Sequence, residues 1–122
     1  MSKIRVLICP ADGRAPHITW ISNTLKNLQN IVGGDIESVK LPILCSRSNP
    51  VILCNESGRL MKLQPNPCIP DYELVGDLII CHEGREDYES LDTDDAHKLL
   101  AICKHQWALN TGRLTPGRYP TR

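Results

Sequence analysis

The chain lacks any long apolar run: nothing in its 122 residues approaches the roughly 18 consecutive apolar residues that span a bilayer. Met1-Ser-Lys-Ile-Arg leads into a short β-like run instead of the apolar stretch of a signal peptide. No membrane partner is expected, and the cytoplasm is the expected compartment. Net charge is missing too: fourteen Lys and Arg balance fourteen Asp and Glu. That balance removes the electrostatic pull toward nucleic acid or lipid headgroups. None of the six cysteines has a C-x-x-C partner, so a structural zinc site is not expected. A Gly-x-Ser-x-Gly elbow, a Gly-rich phosphate loop with Lys and a His-Glu-x-x-His helix are all missing. No catalytic residue, metal ligand or cofactor is assigned, and the reading leans away from an enzyme.

What is present is ordinary globular material, with 41% hydrophobic and 23% charged residues, enough apolar surface for one domain of this length to fold. The expected division is a single domain over 1–109 and a flexible basic tail over 110–122, where Arg113, Arg118 and Arg122 face no acid. Glu83, Glu86, Asp87, Glu89, Asp92, Asp94 and Asp95 crowd an acidic loop, read as a solvated segment. Cys9, Cys54, Cys81 and Cys103 lie in apolar segments, where a reduced thiol behaves as a small buried hydrophobe.

The expected fold is α+β: a mixed, mainly antiparallel sheet of about five to six strands with two amphipathic helices. Ile4 to Cys9 and His17 to Ile21 read as a hairpin around Pro10-Ala-Asp-Gly-Arg. Ser22 and Asn23 are N-cap candidates for a helix carrying Leu25, Leu28, Ile31 and Val32 on one face, ended by Gly33-Gly34. Asp35 to Leu41 alternates as a third strand, and Val51-Ile-Leu-Cys54 is apolar throughout, as a strand covered on both faces should be. Asn55-Glu-Ser-Gly58 reads as a turn and Arg59 to Leu63 as a short edge strand. Pro65, Pro67 and Pro70 exclude a helix or interior strand and mark an ordered or lid-like loop. Leu74 to Cys81 gives the last strand. Asp92 or Thr93 then caps a helix with Ala96, Leu99, Leu100, Cys103 and Trp107 on its apolar face.

Two segments, Leu28-Gln-Asn-Ile-Val-Gly-Gly-Asp-Ile-Glu37 and Leu53-Cys-Asn-Glu-Ser-Gly-Arg-Leu60 followed by Leu63 and Asn66, resemble in order and spacing a family of small phage and plasmid proteins, the domain of unknown function 3846. The resemblance runs from about Ile4 to Leu100. Arg59 stands where that family often has Lys, and the acidic loop and basic tail fall outside its pattern. What the resemblance implies is an origin in a virus or mobile element acting inside a bacterial host.

The candidate ligand-binding residues are Asn55, Glu56, Arg59, Gln64 and Asn66, which concentrate amide and charged groups on a turn and a proline-stiffened loop. Trp20 joins them as a stacking surface, with core packing as its other reading. The expected function is a non-catalytic binding protein that counters host defence by sequestering a small nucleotide-like signal, Arg59 suiting phosphate. Stoichiometric capture needs tight binding, so a homo-oligomer sharing a pocket is among the expectations. The alternatives are an inhibitor that binds a host protein and a small nucleotide hydrolase using Glu56 or Glu37 with His82. Nucleic-acid binding through Arg113, Arg118 and Arg122 is a weaker reading still.

Overall fold

The computed structural model describes residues 2–43, 45, 49–69 and 72–114. Its elements are β1 (Lys3–Cys9), β2 (His17–Ser22), α1 (Leu25–Val32), β3 (Ile36–Lys40), β4 (Val51–Asn55), β5 (Leu78–Glu83), β6 (Tyr88–Glu89) and α2 (Thr93–Asn110). The strands make one sheet in the order β2-β1-β5-β4-β3, with β6 beside β5. Every pairing among them is antiparallel, so the fold is α+β as expected and the sheet is not mixed.

Strand alternation divides the core between two faces. Leu7, Cys9, Ile52, Leu78 and Ile80 pack with Ala96, Leu99 and Cys103 of α2. Val6, Val51, Leu53, Ile79 and Cys81 pack with Leu28 and Val32 of α1. The sheet is therefore sandwiched between one helix on each face, which is why every residue of β4 is buried. β4 is an interior strand, while β5 holds the middle of the order.

Thr24, not Ser22 or Asn23, caps α1, its hydroxyl accepting the Asn27 amide; Asn23 instead donates to the Tyr88 carbonyl. Gly33 ends α1 at φ 85°, a left-handed conformation that glycine adopts without the Cβ penalty. Asp92 holds the N-cap position of α2. The segment Arg59–Leu63 is a tight turn and not an edge strand: Met61 N–H donates to Ser57 O at 2.9 Å and Leu63 N–H to Gly58 O at 3.0 Å. The last long strand begins at Leu78, four residues later than its apolar pattern.

The acidic segment contains the short β6, and the chain beyond it bonds to β1. Arg5 N–H donates to Ser90 Oγ and Leu91 N–H returns the bond to Arg5 O, each at 2.9 Å. The helix α2 reaches Asn110, and the amides of Arg113 and Leu114 fold back onto the Ala108 carbonyl. The rest of the expected tail, with Arg118 and Arg122, lies outside the described residues. No helix among the described residues is long and apolar enough to cross a membrane.

All six cysteines are buried free thiols. Burial pushes Cys81 from the ordinary 9.0 up to about 12. The folded chain therefore holds a proton that the unfolded chain releases between those values. This contribution is intact below pH 9 and is lost as pH rises toward 12; Cys45 and Cys54 are raised mainly by the same cause. In reducing buffer the urea midpoint is expected to hold from pH 7 to pH 8.5 and fall steadily above pH 9. A midpoint unchanged up to pH 10.5 would contradict the assignment.

Candidate functional site

Two segments between β4 and β5, an elbow and a strap, contribute to every hollow described below. Asn55 ends β4 with its side chain on the α1 face. Its Nδ2 donates to Val32 O at 3.2 Å and its Oδ1 accepts the Ser57 amide at 2.8 Å. One amide thus satisfies a carbonyl that the last turn of α1 leaves without a partner, and also starts the next turn. The elbow that begins there is closed by Lys62 at φ 57°.

Residues 64–69 and 72–76 then belong to a strap whose two ends pair with each other. Pro65 bridges Val75, Asn66 N–H donates to Leu74 O at 2.9 Å, and Gly76 N–H donates to Gln64 O at 2.7 Å. Prolines are tolerated because the pairing uses the intervening donors. The Asn66 side chain, 2% exposed, clasps the strap to the sheet. Its Nδ2 donates to Cys9 O at 2.8 Å and Gly76 O at 2.9 Å, and its Oδ1 accepts the Cys68 amide at 2.9 Å.

Three of the hollows that elbow and strap help to wall carry polar residues of the elbow or of the start of the strap. The largest, about 610 Å³, lies between the strap and the end of α2 and is lined by Arg59, Pro65, Pro67, Leu74, Val75 and Asn110, with Asn66 and Glu73. A second of about 380 Å³ shares Arg59, Glu73, Leu74 and Val75 and adds Glu37, Asn55, Glu56 and Leu60. A third of about 450 Å³, beyond the elbow, carries Asp12, Asp77, Asn55, Met61, Leu63 and Gln64. Volumes of this order suit compact ligands.

Arg59 stands at the shared wall of the first two hollows, its guanidinium donating to Glu73 O at 3.1 Å. Glu73 has φ 52°, an uncommon conformation for a non-glycine residue that helps aim its carbonyl at the arginine. Pro65, Pro67, Leu74 and Val75 make one half of this double groove apolar, whereas Glu37, Glu56 and Glu73 gather around Arg59. The walls therefore oppose one cation to three carboxylates.

Of the residues singled out in the sequence, Asn55, Glu56, Arg59, Gln64 and Asn66 all line one hollow or another. Their roles differ. The amide groups of Asn55 and Asn66 are committed to backbone partners and hold the scaffold. Arg59 and Glu56 are exposed and flank the groove. Trp20 is not packed in the core: it is 53% exposed and lies on β2, at the opposite side of the sheet from the elbow. Its ring carries the Arg5 guanidinium, 4.7 Å from the centroid, and Arg5 is itself held by the Leu91 carbonyl. Sequence reading missed Pro65, Pro67, Glu73, Leu74, Val75 and Asn110 as groove residues. The proline cluster was the one signal that marked part of this wall.

His82, named with Glu56 or Glu37 for the hydrolase alternative, is a buried residue at the end of β5. It is 1% exposed, with Nε2 3.4 Å from Asp95 Oδ2 and a buried Nδ1 lacking a hydrogen-bond partner among the described residues. Glu37 pairs with Cys54 and Glu56 comes just after β4, whereas His82 lies beyond the Val51–Cys81 pair at the other end. The strand rise separates these rows by about 13 Å, so the expected carboxylate–histidine pair is not assembled. Among the described residues no group of three or more His, Cys, Asp or Glu is arranged to hold a metal ion.

What these features define is a small α+β domain in which one antiparallel sheet, faced by a helix on each side, carries a groove built from loops. The chain belongs to the family described as Domain of unknown function (DUF3846), whose model matches residues 4–104, a span containing nearly the whole sheet, the elbow, the strap and much of α2. No curated protein and no solved structure matches it.

Proposed function

We propose that this chain is a non-catalytic binding protein that holds a compact, flat ligand in the double groove between elbow, strap and α2. The observation that carries this reading is the groove's composition. An apolar wall of Pro65, Pro67, Leu74 and Val75 can cover the face of a ring, and Arg59 and Asn110 stand at its margins. The strap is closed on itself before any ligand arrives, so little ordering cost opposes binding.

Charge narrows the ligand. With Glu37, Glu56 and Glu73 around a single Arg59, a triphosphate meets more repulsion than attraction, whereas a nucleoside or a cyclic mononucleotide meets one matching cation. Sequestration of a nucleotide-like host signal is the form of this reading that a mobile-element origin favours. The side chains here supply hydrogen bonds and one cation, together with the Cys54 thiol, which donates to Glu37 Oε1 at 4.0 Å and which burial pushes up from its ordinary value.

Calorimetric titration with nucleosides, cyclic mononucleotides and nucleoside triphosphates tests it. The expected result is measurable binding of an uncharged or singly charged member and none of a triphosphate. Arg59→Ala is expected to weaken a charged ligand about 10- to 100-fold, the worth of one charge-assisted hydrogen bond, while leaving stability unchanged because Arg59 is exposed. Silence across the whole series removes the small-ligand reading.

A specific observation favours a second reading, a protein partner. Leu60 and Met61 at the tip of the elbow are 87% and 53% exposed, next to polar rims, as at an interface anchor. A photo-crosslinker at position 60 that captures one defined protein, lost in Leu60→Asp, is the result this second reading requires.

A further inference from the structure

The two hollows that meet at Arg59 differ in chemistry. The one toward α2, about 610 Å³, has Pro65, Pro67, Leu74 and Val75 on its walls, whereas the one toward β3, about 380 Å³, has Glu37 and Glu56. Arg59, Glu73, Leu74 and Val75 line both, so the hollows adjoin. Each volume by itself falls within the range of about 300–1,000 Å³ that takes a small ligand. Arg59 is the one Lys or Arg among the described residues that line them. It donates to the Glu73 carbonyl at 3.1 Å, and a guanidinium has further N–H groups to offer a phosphate.

The walls on either side of this arginine are fixed from behind. Glu37 stands opposite Cys54 in the β3–β4 pairing, and the Cys54 thiol donates to Glu37 Oε1 at 4.0 Å. The Glu56 N–H donates to Asp35 O at 2.8 Å, which holds the residue at the end of β4. On the other side, Asn110 Nδ2 donates to Pro67 O at 3.0 Å and to Gln106 O at 2.9 Å, tying the proline wall to α2.

Resting on the groove reading above, we propose that the ligand is a dinucleoside monophosphate: two nucleosides joined by one phosphodiester, the phosphate at Arg59, one base on the proline wall and a guanine in the carboxylate hollow. The count of charges selects the linkage. One phosphodiester brings one negative charge to the one arginine at the junction, and a nucleoside extends from it into each hollow. A single nucleoside fills only one hollow, and every further phosphate meets Glu37, Glu56 and Glu73 without a second cation.

The chemistry of the walls selects the bases. A carboxylate only accepts hydrogen bonds, so the base beside Glu37 and Glu56 must donate. Guanine places its ring N–H next to its amino group and can donate to both oxygens of one carboxylate, whereas adenine has the amino group alone. The proline wall covers a ring face without hydrogen bonds from its apolar side chains, and it therefore accepts either purine.

Calorimetric titration of the full chain with adenylyl-guanosine, adenylyl-adenosine, guanosine and adenosine tests this. Because joining the rings makes the second capture intramolecular, adenylyl-guanosine is expected to bind about 100-fold tighter than either nucleoside, at one equivalent. It is also expected to exceed adenylyl-adenosine by about tenfold, the worth of one bidentate base contact. Glu56→Gln and Glu37→Gln, both at exposed positions, are expected to reduce that preference for guanine, and Arg59→Ala to weaken both dinucleosides about 10- to 100-fold. A nucleoside that binds as tightly as adenylyl-guanosine overturns the two-ring ligand and leaves the single-ring groove reading standing. Equal affinity for the two dinucleosides overturns the guanine assignment, and no binding by any of the four removes the proposal together with the groove reading.

Discussion

Asn66→Ala is expected to remove about 3–4 kcal/mol of unfolding free energy, since each buried polar group left without a partner costs roughly 1–3 kcal/mol and the effects overlap. The substitution leaves the Cys9 and Gly76 carbonyls and the Cys68 amide, all now bonded to this one side chain, without it in a region sealed from water. For a chain of this size the melting temperature should fall by about 10–15 °C. Asn66→Asp is informative beside it. A carboxylate still accepts the Cys68 amide but cannot donate to either carbonyl, so it should recover only a minor part of the loss. Thermal denaturation of the three proteins side by side checks this; a drop below about 1 kcal/mol for the alanine variant would show that the clasp is not what holds the strap to the sheet.

Gly76→Ala is expected to be the second most damaging change, at about 2–3 kcal/mol, combining left-handed strain with a steric clash. Gly76 sits at φ 77°, and a Cβ added there would lie 2.8 Å from Leu63 Cδ1. Because Leu63 is a side-chain tip it can swing aside, which caps the penalty, but doing so disturbs the wall of the 450 Å³ hollow. Ligand affinity in the double groove should change less than stability, since Leu63 and Gly76 are not on its walls. Denaturant titration and calorimetry on the same sample separate the two effects. An equal loss in both would mean that the hollows do not act independently.

The elements that stand out in the sequence are those whose patterns are local. The hairpin of β1 and β2, the unbroken apolar run of β4, the Gly33 stop after α1 and the apolar face of α2 each arise from spacing within a few residues. The features that stay hidden depend on partners distant in the chain. Tyr88–Glu89 is too short to show strand periodicity and exists as β6 because β5 pairs with it. Ser22, Asn23 and Thr24 are all chemically able to cap a helix, and the choice of Thr24 reflects Asn23 being taken by Tyr88, 65 residues away.

The site divides the same way. A polar elbow and a stiff proline loop are legible in the sequence, and both do wall the hollows. That Asn55 is committed to a carbonyl 23 residues back, or Asn66 to one 57 residues back, is not legible, because an amide reads alike whether it faces a ligand or its own backbone. Nor does any local pattern place Asn110 beside Pro67, a contact made at 3.0 Å by the far end of α2. Trp20 departs from its core-packing reading for a related reason: alternation puts it in a row with Ile18, but β2 is an edge strand and the ring rests on Arg5 at the open side.

Amide chemical-shift mapping, by titrating the isotope-labelled chain with the tightest member of the nucleoside and cyclic mononucleotide series, locates binding most directly. If the double groove is the site, perturbations should cluster at the backbone amides of Arg59, Asn66, Leu74, Val75 and Asn110 and saturate at one equivalent, and Arg59→Ala should shift the titration to higher concentration. Perturbations confined to Trp20 and Arg5, or spread without saturation, would place recognition elsewhere and contradict the groove as the functional site.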